Sequence, residues 1–152
     1  MAFHIENVDW KSGQHRLKQL REKVFVIEWH LPQEAEFDEH DSSAYHVLIS
    51  DEKNQPIATG RLTRDGDIGR IAVSHRYRNL AMYKKLFGAL VAIARKQNVA
   101  ELKVTCDLDS VRYHSTLGFS PCGPVFMEAG IPRQRMACSS QAFVLPDVEH
   151  LH

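Results

Sequence analysis

The chain has 152 residues, of which 43% are hydrophobic and 25% are charged. These proportions are typical of a soluble globular domain and exclude a disordered chain. The 19 basic residues balance the 19 acidic ones, so the overall charge does not favour nucleic acid or an anionic membrane as a partner. We expect one domain over residues 1–152, in which residues 139–152 form a flexible tail or pack on a second copy in a homodimer.

Neither a membrane span nor a signal peptide is visible in the sequence. The longest apolar run, residues 86–94, has about half the length that a bilayer requires, and residues 1–13 have no apolar stretch behind a basic start. We therefore expect a cytoplasmic protein. Cys106, Cys122 and Cys138 are too widely spaced for a disulfide framework or a Cys-x-x-Cys site, so we expect reduced thiols and no metal.

The first predicted element is an amphipathic helix. Apolar residues recur at intervals of three and four from Ser12 to His30, which is the period of one buried helix face. Ser12 is a candidate N-cap residue. Pro32 follows the helix, and residues 33–43 are acidic and have no period, so they are predicted to form a surface loop that contacts substrate.

Three strands are predicted next. Residues 45–50, 56–63 and 67–73 are extended runs, separated by turn-forming residues. The second connection contains Asp65-Gly66, a strong signal for a tight hairpin. The three runs therefore predict an antiparallel meander.

The apolar spacing then changes to that of a helix. Leu80 and Tyr83 begin an apolar stripe that fades at residues 96–98, and a strand at 101–106 follows. A strand, a helix and a strand in this order predict a right-handed crossover, so the strands at 67–73 and 101–106 run parallel. A short helix near 110–117 and strand-like segments around 119–127 and 134–137 complete the chain. The predicted fold class is α+β with three layers and a mixed sheet.

Two arginines precede the predicted helix whose apolar stripe begins at Leu80. Arg76 and Arg78 add positive charge where the N–H groups and the dipole of a helix N-terminus attract anions, so they are candidates to bind phosphate. The alternative is that two surface arginines precede a helix by chance. The turn at 78–83 contains no glycine, although glycine usually lets a backbone approach a phosphate.

Two further side chains are candidates for proton transfer. Tyr113 has a phenol that can donate a proton to a leaving group at neutral pH, or it is a half-buried aromatic. Glu28 has a carboxylate whose pKa would rise if Phe25 and Trp29 desolvated it, which would suit a general base, or it is solvated.

Six phrases, taken together and in this order, resemble the GNAT N-acetyltransferase superfamily and more closely its ElaA-like branch. They are Lys23-Val24-Phe25-Val26-Ile27-Glu28, Phe37-Asp38-Glu39-His40-Asp41, Ala58-Thr59-Gly60-Arg61-Leu62, Ile68-Gly69-Arg70-Ile71-Ala72-Val73, Tyr113 with Leu117-Gly118-Phe119, and Phe126-Met127-Glu128-Ala129-Gly130-Ile131-Pro132. The resemblance implies an enzyme that transfers an acetyl group from acetyl-CoA, as co-substrate, to a primary amine in a ternary complex.

The resemblance also implies roles for particular residues. Acetyl-CoA would lie between two splayed parallel strands, with a backbone N–H near Val73 polarising the thioester carbonyl. Tyr113 would protonate the departing thiolate, and Glu28 is our candidate for the base. The pantetheine arm would bind the backbone of Ile71, Ala72 and Val73. The pyrophosphate would bind the N–H groups of Arg78, Asn79, Leu80, Ala81, Met82 and Tyr83.

The chain departs from the family pattern in this phosphate-binding turn. The superfamily turn is Gln/Arg-x-x-Gly-x-Gly/Ala, whereas Ala81 and Tyr83 occupy its two small positions. A Tyr83 ring that faces the core leaves the phosphate face open, and one that faces outward blocks it. Two alternatives follow: a degenerate GNAT fold that is a non-catalytic CoA-binding or regulatory domain, and an acyltransferase whose donor is not acetyl-CoA.

Overall fold

Four antiparallel strands form the first sheet of the protein. In the computed structural model, which describes residues 3–28 and 38–142 except the side chains of 26–28, this sheet has the order β1-β2-β3-β4. Its strands are β1 (His4–Val8), β2 (Tyr45–Ser50), β3 (Pro56–Leu62) and β4 (Ile68–Val73). The predicted meander is confirmed to within one residue at each end. β1 escaped prediction because it is a largely polar edge strand.

The second sheet is built on one long strand. This strand, β8 (Ile131–Ser139), pairs with β5 (Glu101–Asp107), β6 (Ser120–Pro121) and β7 (Phe126–Glu128), antiparallel in each case. Leu102, Val104 and Cys106 of β5 alternate with more exposed residues, so one face of this sheet is buried.

The helices are α1 (Trp10–Arg21), α2 (Leu80–Lys96) and α3 (Val111–Thr116), and a π-helical segment, Glu22–Glu28, continues α1. The prediction of Ser12 as N-cap is wrong: Asp9 caps α1, and its carboxylate accepts the Ser12 backbone N–H at 2.7 Å. Aspartate and serine are both favoured caps, and the structure uses the earlier residue. Within the described ranges, no helix has the length and apolar character of a membrane span.

The first sheet lies between two helices. Leu17 and Leu20 of α1 pack against Leu48 and Ala72 on one face. The opposite face packs against α2 in the main core, which includes Leu86 and the second sheet. Because side chains alternate along a strand, adjacent strand residues belong to opposite cores. The predicted three-layer α+β class is confirmed.

The two sheets meet at a single point within the described residues. Asp67 and Lys103 form a parallel bridge, and the Lys103 N–H donates to the Gly66 carbonyl at 2.8 Å. Farther along, the pairing of β3 with β4 shifts register, and Arg70 has φ of 49°. A bulge of this kind increases strand twist. β4 and β5 therefore begin side by side and then diverge, so the predicted parallel pair is limited to its start.

Gly66 is required where the sheets meet, and we expect Gly66→Ala to destabilise the protein by roughly 1–3 kcal/mol. Its φ is 97°, and an added Cβ would lie 2.0 Å from the Glu101 carbonyl oxygen. Urea unfolding would measure the change. Gly69→Ala is the matched control, because a Cβ there has no neighbour within 4 Å and should change stability by less than about 0.5 kcal/mol. Equal effects of the two substitutions would contradict this prediction.

Candidate functional site

A cavity of about 720 Å³ lies where β4 and the second sheet diverge. Its wall brings together residues from β4, the start of α2 and α3, which are far apart in the sequence. Seven of the predicted site residues line it: Ile71, Val73, Arg78, Asn79, Leu80, Tyr83 and Tyr113. Six lining residues were not among the predicted catalytic or cofactor-binding residues: Val24, Phe25, Phe87, Ser110, His114 and Arg133. We call this space the first cavity.

The backbone of β4 faces the first cavity at Val73. The Ser74 N–H donates to the Ile57 carbonyl, so Ser74 points toward β3. Strand residues alternate in the direction of their N–H and C=O groups, so those of Val73 point away from β3 and into the gap. The Val73 carbonyl accepts from Arg78 Nε at 2.9 Å, which leaves its N–H as the donor on this edge. The Ala72 side chain points away, into the core beneath α1.

The start of α2 offers fewer N–H groups than the sequence implies. Asn79 is the N-cap: its side chain accepts from the Met82 N–H at 2.9 Å, and its carbonyl accepts from the Tyr83 N–H at 3.2 Å. In the described part of the chain, no acceptor receives a hydrogen bond from the N–H of Leu80 or Ala81. These two groups, at the positive end of the helix dipole, are suited to bind an anion.

The arginines before α2 have different surroundings. Arg78 donates its Nε–H to the Val73 carbonyl, which holds the side chain in place, and the residue lines the first cavity. Arg76 is exposed and lines a smaller cavity of about 300 Å³ with Lys85, Ala81 and Met82. Positive charge therefore lies on both sides of the helix start.

The Tyr83 ring lies in the wall of the first cavity. Tyr83 is partly buried and packs against the main core. The buried residue of this turn is Met82, at 2% exposure, whereas Leu80 and Tyr83 of the predicted core stripe are only partly buried. The rest of that stripe, from Leu86 to Ala94, is buried as predicted. The ring thus narrows the cavity, while Ala81 is exposed beside the helix start.

Tyr113 lies across the first cavity on α3. Burial, with a smaller contribution from Tyr83, raises the pKa of its phenol above the ordinary value of 10.0. The phenol is therefore protonated at neutral pH, as a proton donor must be. Its neighbour His114 has its Nδ1 2.8 Å from the Ser110 carbonyl. Because a carbonyl can only accept, Nδ1 carries a proton and donates it to this carbonyl.

Glu28 could not be placed in the site. Its backbone ends the π-helical segment, but its side chain lies outside the described residues. Phe25, three residues earlier, lines the first cavity.

Residues 11–140 match the model of the acetyltransferase (GNAT) domain family. The chain belongs to the GNAT family. The uncharacterized protein YyaT of Bacillus subtilis is 28% identical over 140 residues, which cover 88% of this chain and 94% of YyaT.

Solved structures share the GNAT fold of this chain. ElaA of Escherichia coli superposes with a TM-score of 0.77 at 21% identity, over 90% of this chain and 99% of ElaA. An acyl-CoA N-acyltransferase from Pseudomonas aeruginosa also gives 0.77, at 23% identity, over 90% of this chain and 98% of its own. The predicted family is confirmed, and the likeness to ElaA agrees with the predicted branch.

A network of buried charges supports the β4 bulge of this GNAT domain. The Asp41 carboxylate accepts from Arg21 at 2.9 Å and from Arg61 at 3.0 Å. Arg61 also donates to Asp38 at 2.7 Å, and Asp38 accepts from Arg70 of the bulge at 2.7 Å. Burial alone would raise the pKa of Asp38, but the hydrogen bond and charge of Arg61 and the charge of Arg70 hold it below its usual range.

His46 completes this network as a neutral group. Its Nε2 lies 2.9 Å from the Asp41 carbonyl and its Nδ1 lies 3.3 Å from Arg21 Nη2. The carbonyl needs a donor and the guanidinium needs an acceptor, so the ring is neutral with its proton on Nε2. Burial and the nearby arginines lower the pKa of His46, against the opposing effect of Asp41.

We expect the stability of the protein to fall as the pH drops below about 6.5. The folded state holds the pKa of His46 below its ordinary value of 6.5, so the unfolded chain takes up this proton first and is favoured. The contribution of neutral His46 to the free energy of unfolding is thus fully present above pH 6.5 and is lost on acidification. Asp38 adds a second loss below its ordinary 3.8, because its pKa is also lowered.

Urea midpoints between pH 7.5 and 5 would measure this dependence. His46→Asn should show a shallower decline than the wild type, whatever its overall stability. His15→Asn removes an exposed histidine of α1 and is the matched control. A His46→Asn protein that keeps the full decline would show that other groups cause it.

Proposed function

We propose that this protein transfers an acetyl group from acetyl-CoA to a primary amine by direct attack in a ternary complex. The observation that carries the proposal is the first cavity, which joins an anion-binding helix start, a strand edge with an inward N–H and a protonated phenol. These features correspond to the three parts of the donor that need partners: phosphate, thioester carbonyl and sulfur.

The residues around the first cavity suit this donor. The N–H groups of Leu80 and Ala81 would bind a pyrophosphate oxygen, supported by the helix dipole and by Arg78. The Asn79 side-chain oxygen already accepts the hydrogen bond of the neighbouring Met82 N–H. A phosphate would therefore bind at the helix start beside this capping side chain. Arg76 and Lys85, which line the smaller cavity, lie where they would attract further phosphate charge.

The chemical step would use the opposite end of the cavity. The Val73 N–H would stabilise the negative oxygen that forms when the amine attacks the thioester carbonyl. Collapse of that intermediate breaks the carbon–sulfur bond, and Tyr113 would give its proton to the thiolate. The amine must lose a proton, and Glu28 is the proposed base. No covalent enzyme intermediate is needed.

One observation favours a second function, a non-catalytic CoA-binding or regulatory domain. Tyr83 replaces a small residue of the family turn and its ring lies in the cavity wall. If the ring prevents the donor from reaching the cavity, the domain cannot catalyse acetyl transfer. An acyl donor other than acetyl-CoA is the remaining alternative, and comparing acyl chain lengths separates it.

We expect acetyl-CoA at about 100 times its Kd to raise the melting temperature by about 5–10 °C. The same measurement on Tyr83→Ala separates the two functions, since alanine preserves the helix. If Tyr83 contacts the donor, the shift shrinks. If the ring obstructs the cavity, the shift appears only in the variant. No shift in either protein would remove acetyl-CoA as the donor.

We expect Tyr113→Phe to lower kcat by about a hundredfold, since it removes the proton donor but keeps the ring. The Kd for acetyl-CoA should stay within about twofold, because the hydroxyl acts on the leaving sulfur. Thiol release, followed with a colorimetric reagent, measures the rate. Tyr45→Phe is the matched control, since the Tyr45 hydroxyl bonds Arg64 and does not line the first cavity. An unchanged kcat would exclude Tyr113 as the acid.

A further inference from the structure

A second cavity, of about 510 Å³, adjoins the first. It lies beside the bulge of β4, and its wall includes β7, β8 and the turn that precedes β4. Arg133 of β8 lines both cavities. The second cavity therefore meets the first at Arg133. On the proposed function above, the acetyl group would lie in the first cavity, and we assign the second cavity to the acceptor.

The arginines in its wall are not equivalent. Arg61 and Arg70 are committed to the carboxylates of the buried network. Arg133 has Glu128 as a neighbour, but the distance from Nε to the carboxylate is 3.7 Å, beyond a hydrogen bond. This Nε is buried and has no hydrogen-bond partner in the described part of the chain. The Nε of Arg61 also lacks a partner there, but the Arg61 guanidinium is already held by two carboxylates, whereas that of Arg133 has none within hydrogen-bond distance. A buried charged donor without an acceptor is unfavourable, so a ligand that supplies one is favoured.

Arg135 extends this basic wall. Residues two apart on a strand share a face, so Arg135 follows Arg133 along β8. The residue opposite Arg135 on β5 is the neutral Thr105, whereas Asp107 lies opposite Arg133. Both arginines line the second cavity. Guanidinium groups bind carboxylates through paired N–H donors. The wall therefore suits a ligand carboxylate close to the junction of the cavities.

Two acidic residues, Asp65 and Asp67, line the second cavity at the turn before β4. Within the described ranges, neither carboxylate has a cation at ion-pair distance. A side chain that carries hydrogen-bond donors or positive charge is favoured at this end.

We propose that the acceptor is an α-amino acid, held by its carboxylate on Arg133 and Arg135. The α-amino group lies two bonds from that carboxylate, so this anchor keeps the nucleophile at the junction of the cavities. There it attacks the thioester carbonyl, a C–N bond forms, the C–S bond breaks, and the amine proton leaves as described above. The product is an N-acetyl amino acid.

The test compares arginine with two analogues that lack the carboxylate, agmatine and argininamide. All three carry one acylatable amine and the same guanidinium. The amine of agmatine is more basic than that of arginine, and the amine of argininamide is less basic, so basicity cannot favour arginine over both. We expect kcat/KM for arginine to exceed both by at least about tenfold. A kcat/KM for free arginine that is no higher than that for either analogue would overturn the proposal.

Substitutions of Arg133 and Arg135 test whether these residues cause the preference for a carboxylate. Arg135→Gln should lower kcat/KM for arginine about 10- to 100-fold and leave agmatine unchanged. Arg133→Gln should also lower kcat/KM for arginine and leave that for agmatine unchanged, without raising KM for acetyl-CoA. Arg16→Gln removes only a contact with Glu6 and is the control, which should change kcat/KM for neither substrate. Equal losses for arginine and agmatine in Arg135→Gln would contradict the assignment, and a change only in KM for acetyl-CoA would assign Arg133 to the donor.

Failure of this proposal is distinguishable from failure of the proposed function. A protein that binds acetyl-CoA and acetylates agmatine, but ignores the carboxylate, remains an N-acetyltransferase with a different acceptor. Calorimetric titration with arginine in the presence of CoA adds a readout that needs no turnover. Absence of arginine binding there would overturn the carboxylate anchor.

Discussion

The structure depends on one buried carboxylate. Asp41 is 1% exposed and lies between Arg21, which is fully buried, and Arg61. Desolvating such charges costs roughly as much free energy as their attraction returns, so the network contributes little net stability. The network instead fixes how the elements that carry it are placed, because an arrangement that separated any of the partners would leave an uncompensated charge in the interior. α1, β3 and the 38–42 segment can therefore meet in one arrangement only.

The geometry of the bulge follows from this arrangement. Arg70 has a left-handed backbone conformation, which costs a non-glycine residue about 1 kcal/mol or more. Its guanidinium is held by Asp38, which Arg61 holds in turn. On the other face, Gly60 leaves room for Ile71, whose Cδ1 lies 2.9 Å from where a Cβ would be. The buried charges and one small residue thus fix the twist that separates β4 from β5 and opens both cavities.

Local patterns in the sequence predicted most of the elements, although not β1, and much of the first cavity. Alternation over 45–73 located the strands, and the apolar stripe that begins at Leu80 located α2. The network could not be predicted in the same way. Asp38 and Asp41 belong to an acidic stretch that reads as a surface loop, and Arg21 resembles any charged helix residue. Pairing between positions 20 or more residues apart leaves no periodic pattern in a sequence. The place of Arg133 in the cavity wall also depends on residues that are distant in the sequence, so no local pattern indicates it.

The glycine-free turn is explained by what the structure provides in place of glycine. Glycine permits close approach of a phosphate, whereas here Asn79 caps the helix with its own side chain and Ala81 stands exposed beside it. The first turn is therefore stable without an anion, and two N–H groups remain for one. Tyr83 extends into the cavity instead, where its ring helps to raise the pKa of Tyr113. The tyrosine thus adds an aromatic ring to the cavity wall near the Tyr113 phenol, and a donor that reaches the phenol must fit beside this ring.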